Sequence, residues 1–85
     1  MSQVTIYTKP YCPFCVRALE LLERKGVAFD EIEAAFDPHK RQEMIRRSGR
    51  ATFPQIFIGE THIGGCDEMM ALERAGELDP MLKAA

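Results

Sequence analysis

Lys9-Pro10-Tyr11-Cys12-Pro13-Phe14-Cys15 stands where one backbone periodicity gives way to another. Before it, Val4-Thr5-Ile6-Tyr7-Thr8 is rich in β-branched and aromatic residues and predicts a strand. Lys9-Pro10-Tyr11 breaks that strand. After it the pattern turns helical, from Cys12 to about Lys25. Cys15, Leu19 and Leu22 recur at helical spacing as an inward stripe, with Val16 beside it. Glu20 and Arg24 form an i,i+4 pair on the outer side. Pro13 suits the first helical position, where its missing N–H is not needed, and Gly26 supplies a stop.

Two cysteines three residues apart at a helix start carry a specific chemistry. Residues i and i+3 share a helix face, so the two sulfurs can meet in a disulfide. Cys12 sits among backbone N–H groups with no intrahelical partner, where the helix dipole favours negative charge. Both effects favour a thiolate over a thiol, and Lys9, three residues earlier, adds a cation. Cys15 lies one turn in, on the apolar stripe, and is expected to be more buried and less ionised. The asymmetry assigns Cys12 as an exposed nucleophile and Cys15 as the thiol that resolves its mixed disulfide. Three other readings compete. A zinc site would need His62 and Cys66 as its second half, but a strand, a helix and a strand intervene, far beyond the ~12–20 residues of common zinc modules. A structural disulfide requires an oxidising compartment. Burial as a small apolar residue suits Cys15, not Cys12 between two prolines and beside an aromatic.

Outward from this segment, Val27-Ala28-Phe29-Asp30-Glu31-Ile32 predicts a second strand, with Val27, Phe29 and Ile32 toward the core. Asp37-Pro38 reads as an N-cap followed by proline in the first turn, opening a helix that runs to about Ser48 and ends at Gly49. Gln55 to Ile58 is a short apolar strand. Gly59-Glu60 fits a two-residue hairpin turn with glycine first, and Thr61-His62-Ile63 returns. Gly64-Gly65 is a tight connection to a helix from Cys66 to Ala75, with Met69, Met70 and Leu72 inward, and Glu77 to Lys83 predicts a last short helix. The order β-α-β-α-β-β-α, with a right-handed crossover between two parallel strands, gives a four-stranded mixed sheet flanked by helices, an α/β fold. The 85 residues are expected to form one domain, 1–85, with a two-layer core.

Net charge of −2 gives no electrostatic case for nucleic acid or a membrane surface. No apolar stretch approaches the ~20 residues of a membrane span. The first residues, Met1 to Tyr7, lack a basic segment followed by an apolar one, so a cytoplasmic location is expected. Three cysteines, an odd number, argue for reactive or metal-binding thiols over a disulfide framework.

Three segments, taken in order, resemble the glutaredoxin family within the thioredoxin fold: Lys9 to Cys15, Thr52-Phe53-Pro54 and Gly64-Gly65-Cys66-Asp67. The resemblance runs from about Gln3 to Met81. Family members commonly have tyrosine where this chain has Phe14, which keeps the aromatic face without the hydroxyl, and valine where it has the bulkier Phe53. Thioredoxin itself matches less well, having tryptophan before its first cysteine where this chain has none.

The resemblance implies a glutathione-dependent thiol–disulfide oxidoreductase. It would reduce protein–glutathione mixed disulfides through Cys12, and protein disulfides through Cys12 and Cys15, at a poise of about −200 to −230 mV. It implies a cis Pro54 facing the active sulfur, with Thr52 in the same turn and the Phe53 backbone pairing with the cysteinyl part of glutathione like an added strand. Tyr11 and Phe14 belong to the matched active-site segment. The N–H groups around Gly65, Cys66 and Asp67 would hold the γ-glutamyl carboxylate, and the Asp67 side chain its ammonium group; alternatively Asp67 caps its own helix. Lys9 first, and Arg41 second, would meet the glycyl carboxylate. Arg41 belongs to a basic run, Lys40, Arg41, Arg46, Arg47 and Arg50, that otherwise reads as a solvated helix face. Cys66 reads as packed beside the site, and His39 and His62 as surface or turn residues without partners. Expected partners are glutathione and glutathionylated or disulfide-bonded proteins, with glutathione as reducing co-substrate, no bound cofactor, no metal and a monomeric chain. The main rival is a glutaredoxin dimer holding an iron–sulfur cluster with two glutathiones, which the stiff Pro13 disfavours. A non-catalytic redox-sensing adaptor is a third reading.

Overall fold

The computed structural model describes residues 3–84, and of Ala84 only its backbone. Met1, Ser2 and Ala85, on which the expectations about the leading residues and the 1–85 span partly fall, lie outside it. In chain order the elements are β1 (Val4–Thr8), α1 (Pro13–Arg24), β2 (Phe29–Glu33), α2 (Pro38–Ser48), β3 (Gln55–Ile58), β4 (Thr61–Gly64), α3 (Cys66–Arg74) and α4 (Leu78–Ala84). The strands form one mixed sheet in the order β2-β1-β3-β4. β1 and β2 are parallel, while β1 with β3 and β3 with β4 are antiparallel.

The sheet is buried on both faces, so the core has three layers where two were expected. The reason lies in β1 and β3, whose residues are buried without alternation, the pattern of strands covered on both sides. Val4, Ile6, Ile56 and Ile58 point to one face and meet Ala18, Leu21 and Leu22 of α1, Met69 of α3 and Leu78 of α4. Tyr7 and Phe57 point to the other and meet Met44 of α2 and Ala34 just after β2, with their rings edge to face at 5.8 Å. Arg47 lies over Phe57 at 4.2 Å and donates to the Tyr7 hydroxyl at 2.9 Å, closing that layer from outside.

β2 begins at Phe29, not Val27, and Phe29 and Ile32 serve opposite layers, as a two-residue period demands. The α2 start is as expected: Asp37 Oδ1 accepts from the N–H groups of His39 and Lys40 at 3.0 and 3.1 Å, and Gly49 ends the helix at φ +73°. Lys25, beyond the end of α1, bridges Glu73 of α3 and Asp79 of α4 at 2.6 and 2.8 Å. Among the described residues no helix is long and apolar enough to cross a membrane.

Candidate active site

β1 delivers the chain to the C-terminal edge of the sheet, where Tyr11 at φ +56° turns it into α1. Cys12 is the N-cap residue of that helix, with Pro13 following it as the first helical residue. Its Sγ accepts the N–H of Cys15 at 3.2 Å, and its carbonyl accepts that of Val16 at 3.1 Å. Capping turns the sulfur back over the first turn. That is why Cys12 is only 5 % exposed, where an exposed residue was expected. It remains at the helix start and lines a cleft of about 570 Å³ open to solvent.

Cys15 is buried under the same turn. Burial, reinforced by a hydrogen bond from its thiol to the Cys12 sulfur, pushes it up to about 12. Two donors from Cys15, its backbone N–H and its thiol, thus converge on the Cys12 sulfur. Burial keeps the Cys15 thiol neutral at ordinary pH. All three cysteines are free thiols here. Cys66 is also buried, and burial raises its thiol.

A second, smaller cleft of about 190 Å³ is lined by Phe14, Thr52, Phe53, Pro54, Gly65, Cys66 and Asp67, together with Arg50 and Glu68. Seven of the expected site residues therefore share one depression. The Phe53–Pro54 bond is cis. Among the described residues the N–H and C=O of Phe53 have no hydrogen-bond partner. Gly65 is the N-cap of α3 and Asp67 makes no capping bond, and among the described residues the amides of Cys66 and Asp67 have no hydrogen-bond partner. The remaining three expected residues lie elsewhere. Lys9 reaches over the Phe53 ring at 5.9 Å, Tyr11 is fully exposed and lines the larger cleft, and Arg41 sits on the exposed side of α2, away from the residues lining either cleft.

Two groups of residues escaped the sequence reading. Glu68 accepts the Gly65 N–H at 2.6 Å and the Arg50 guanidinium at 2.9 Å, and these bonds hold its carboxyl below the usual range. The Gly65-x-x-Glu68 spacing, that of a capping box, was the available signal. His62, expected without a partner, tilts against Phe57 at 4.9 Å and bonds Gln55 Oε1 at 2.7 Å. Gln55 is fully buried and donates to both the carbonyl and the hydroxyl of Thr52 at 3.0 Å. The two-residue hairpin sets Phe57 opposite His62, so the ring contact was implicit in the turn.

A family model described as glutaredoxin matches residues 4–63. Glutaredoxin 3 of Escherichia coli is 57% identical over 83 residues, 98% of this chain and 100% of that protein. The solution structure of glutaredoxin from Brucella melitensis superposes with a TM-score of 0.85 at 59% identity, covering 98% of this chain and 90% of the other. A crystal structure of a buckwheat glutaredoxin–glutathione complex gives 0.87 at 32% identity, covering 98% and 78%. With its paired cysteines at the head of α1, the chain belongs to the glutaredoxin family of thiol–disulfide oxidoreductases.

Proposed function

We propose that the chain uses glutathione to reduce protein–glutathione mixed disulfides through Cys12, and protein disulfides through Cys12 with Cys15. The supporting observation is the smaller cleft, which sets the unpaired amides of α3 and the open backbone of Phe53 beside the helix end that carries Cys12. The α3 amides and the Asp67 carboxylate suit the carboxylate and ammonium of a γ-glutamyl group. The Phe53 amide suits an extended cysteinyl unit, and Lys9 above Phe53 suits a terminal carboxylate. The buckwheat complex is a relative crystallised with glutathione.

In the first step the Cys12 thiolate attacks the glutathione sulfur of a mixed disulfide. A Cys12–glutathione disulfide forms, and the protein leaves as a thiolate that takes a proton from solvent. A second glutathione thiolate then attacks the bound glutathione sulfur, releasing glutathione disulfide and restoring Cys12. The α1 amide at 3.2 Å from Sγ stabilises the anion at both ends of the cycle. Cys15 is not needed on this route.

Turnover of a small glutathione mixed disulfide tests the reading. Cys12→Ser should abolish it, and Cys15→Ser should keep at least about a third of it. Equal loss from both changes, or equal turnover when glutathione is replaced by cysteine as reductant and as mixed-disulfide partner, would overturn it.

A further inference from the structure

The larger cleft is the one that Cys12 and Cys15 line, and its chemistry does not suit an anionic tripeptide. The parallel register sets Glu31 beside Ile6 and Glu33 beside Thr8 on the α1 side of β2. There the first inward position, Phe29, is packed into the core, but the next two are carboxylates left exposed at the edge of the sheet. Thr8 Oγ1 donates to Glu31 Oε2 at 2.9 Å and holds that carboxylate in place. Across from them, α1 presents Val16, 53 % exposed, and half-buried Leu19. The basic residue of this rim, Lys9, extends toward Phe53 and the smaller cleft.

The cleft therefore combines an acidic wall, an apolar wall and the reactive sulfur, and shares no lining residue with the smaller cleft next to it. We propose that it seats the polypeptide flank of a protein disulfide, selecting chains with a Lys or Arg and an apolar side chain within a few residues of the reacting cysteine. The inference rests on the oxidoreductase reading above and names its protein-substrate class. Opposite charge attracts such a chain to Glu31 and Glu33. Covering Val16 removes apolar surface from water. Cys12 attacks one sulfur of the bound disulfide, and the second sulfur leaves as a thiolate and is protonated by solvent. Cys15, losing its proton to solvent, attacks Cys12 Sγ and releases the first substrate thiol. The substrate disulfide gains the two electrons that the Cys12–Cys15 pair gives up, and two glutathiones restore the pair.

Two disulfide-bonded peptides of equal length, one with Lys and one with Glu flanking the cysteine, provide the test, run with glutathione as reductant. The native chain should reduce the Lys peptide with a kcat/KM about 5–10-fold higher at low salt, the difference shrinking as ionic strength rises. The double variant Glu31→Gln with Glu33→Gln keeps side-chain size and should bring the two peptides within about twofold, and Glu31→Lys with Glu33→Lys should reverse the order. Each variant is run in parallel on a small glutathione mixed disulfide, where turnover should stay within about twofold of the native chain. Equal handling of the two peptides by the native chain, or a preference that survives both double variants, overturns the cleft assignment alone. Failure of the native chain on the small mixed disulfide overturns the oxidoreductase reading and this inference with it.

Discussion

His62 and Thr52 are joined through one buried amide: the imidazole meets Gln55 Oε1 at 2.7 Å, while Gln55 Nε2 donates to the Thr52 carbonyl and hydroxyl at 3.0 Å. The link ties β4 to the turn that ends in Pro54, on the wall of the smaller cleft. It also fixes the tautomer. Nε2 of the amide faces an obligatory acceptor, so its oxygen faces His62, whose Nε2 must then carry the proton.

Removing that amide takes a partner from the exposed Thr52 and from the half-buried His62. Gln55→Leu should cost about 1 kcal/mol in urea unfolding and raise KM for a glutathione mixed disulfide more than it lowers kcat. Gln55→Glu, which keeps the acceptor for His62 and loses the donor to Thr52, should recover stability only in part. Wild-type stability for Gln55→Leu would show that the link carries no load.

Burial, and secondarily the nearby Arg50, holds His62 below its ordinary value, against a smaller opposing pull from Glu68. A depressed histidine contributes stability that is present above the unfolded value, 6.5, and is lost as pH falls through the folded one. Unfolding free energy should therefore decline in the native chain as pH falls below about 6.5. His62→Gln, which keeps a donor for Gln55, should flatten that limb. An unchanged slope in the variant would remove His62 as its cause.

Cys15 supplies the alkaline counterpart. Its thiol is held up to about 12 by burial and by its bond to Cys12. The stability this gives is whole below the unfolded value, 9.0, and disappears as pH climbs through the folded one. Mass spectrometry of iodoacetamide-treated protein at pH 7 should show one rapid adduct, on Cys12, with Cys15 and Cys66 modified at least about tenfold more slowly. Comparable rates at the three sulfurs would contradict the division of roles.

Glu68 should register at the acid end. Its carboxyl lies below the usual range because it accepts the Gly65 N–H and pairs with Arg50. Its contribution is present above 4.5 and is lost as pH falls through the lower folded value. Glu68→Ala should lower stability by about 1 kcal/mol at neutral pH, mainly through the lost capping bond, because the Arg50 pair is half exposed. Gly64→Ala should cost more, since φ of +123° disfavours a side chain and a methyl there would run into Glu68. A Glu68→Ala loss that vanished altogether as pH fell through the folded value would locate its contribution in charge alone.

Local patterns in the chain give the element order well. Asp37-Pro38, Gly49 and Gly59-Glu60 each carry their turn or cap chemistry in themselves. The paired cysteines at a strand-to-helix junction located the head of α1, and Gly65-Cys66-Asp67 the start of α3. What local patterns missed was tertiary. Val16 reads as beside the inward stripe, yet α1 leans on β1 and β3 and leaves it to solvent. The cover over Cys12 depends on how its own sulfur caps the helix. The partners of His62 depend on strand register. The third core layer was hidden because the threonines of β1 and Gln55 of β3 interrupt the apolar residues, whereas the burial of both strands is unbroken.

β2, the outer strand beside β1, carries Asp30, Glu31 and Glu33 within five residues. An open strand edge is a template on which another copy can grow, and this one repels its own likeness: joining two such edges would bring three carboxylates on each side to within a strand spacing of about 4.8 Å. The same acids that shape the larger cleft thus guard the sheet against polymerising into fibrils. Neutralising them should make the chain more prone to aggregate even where its fold and its thiol chemistry are intact.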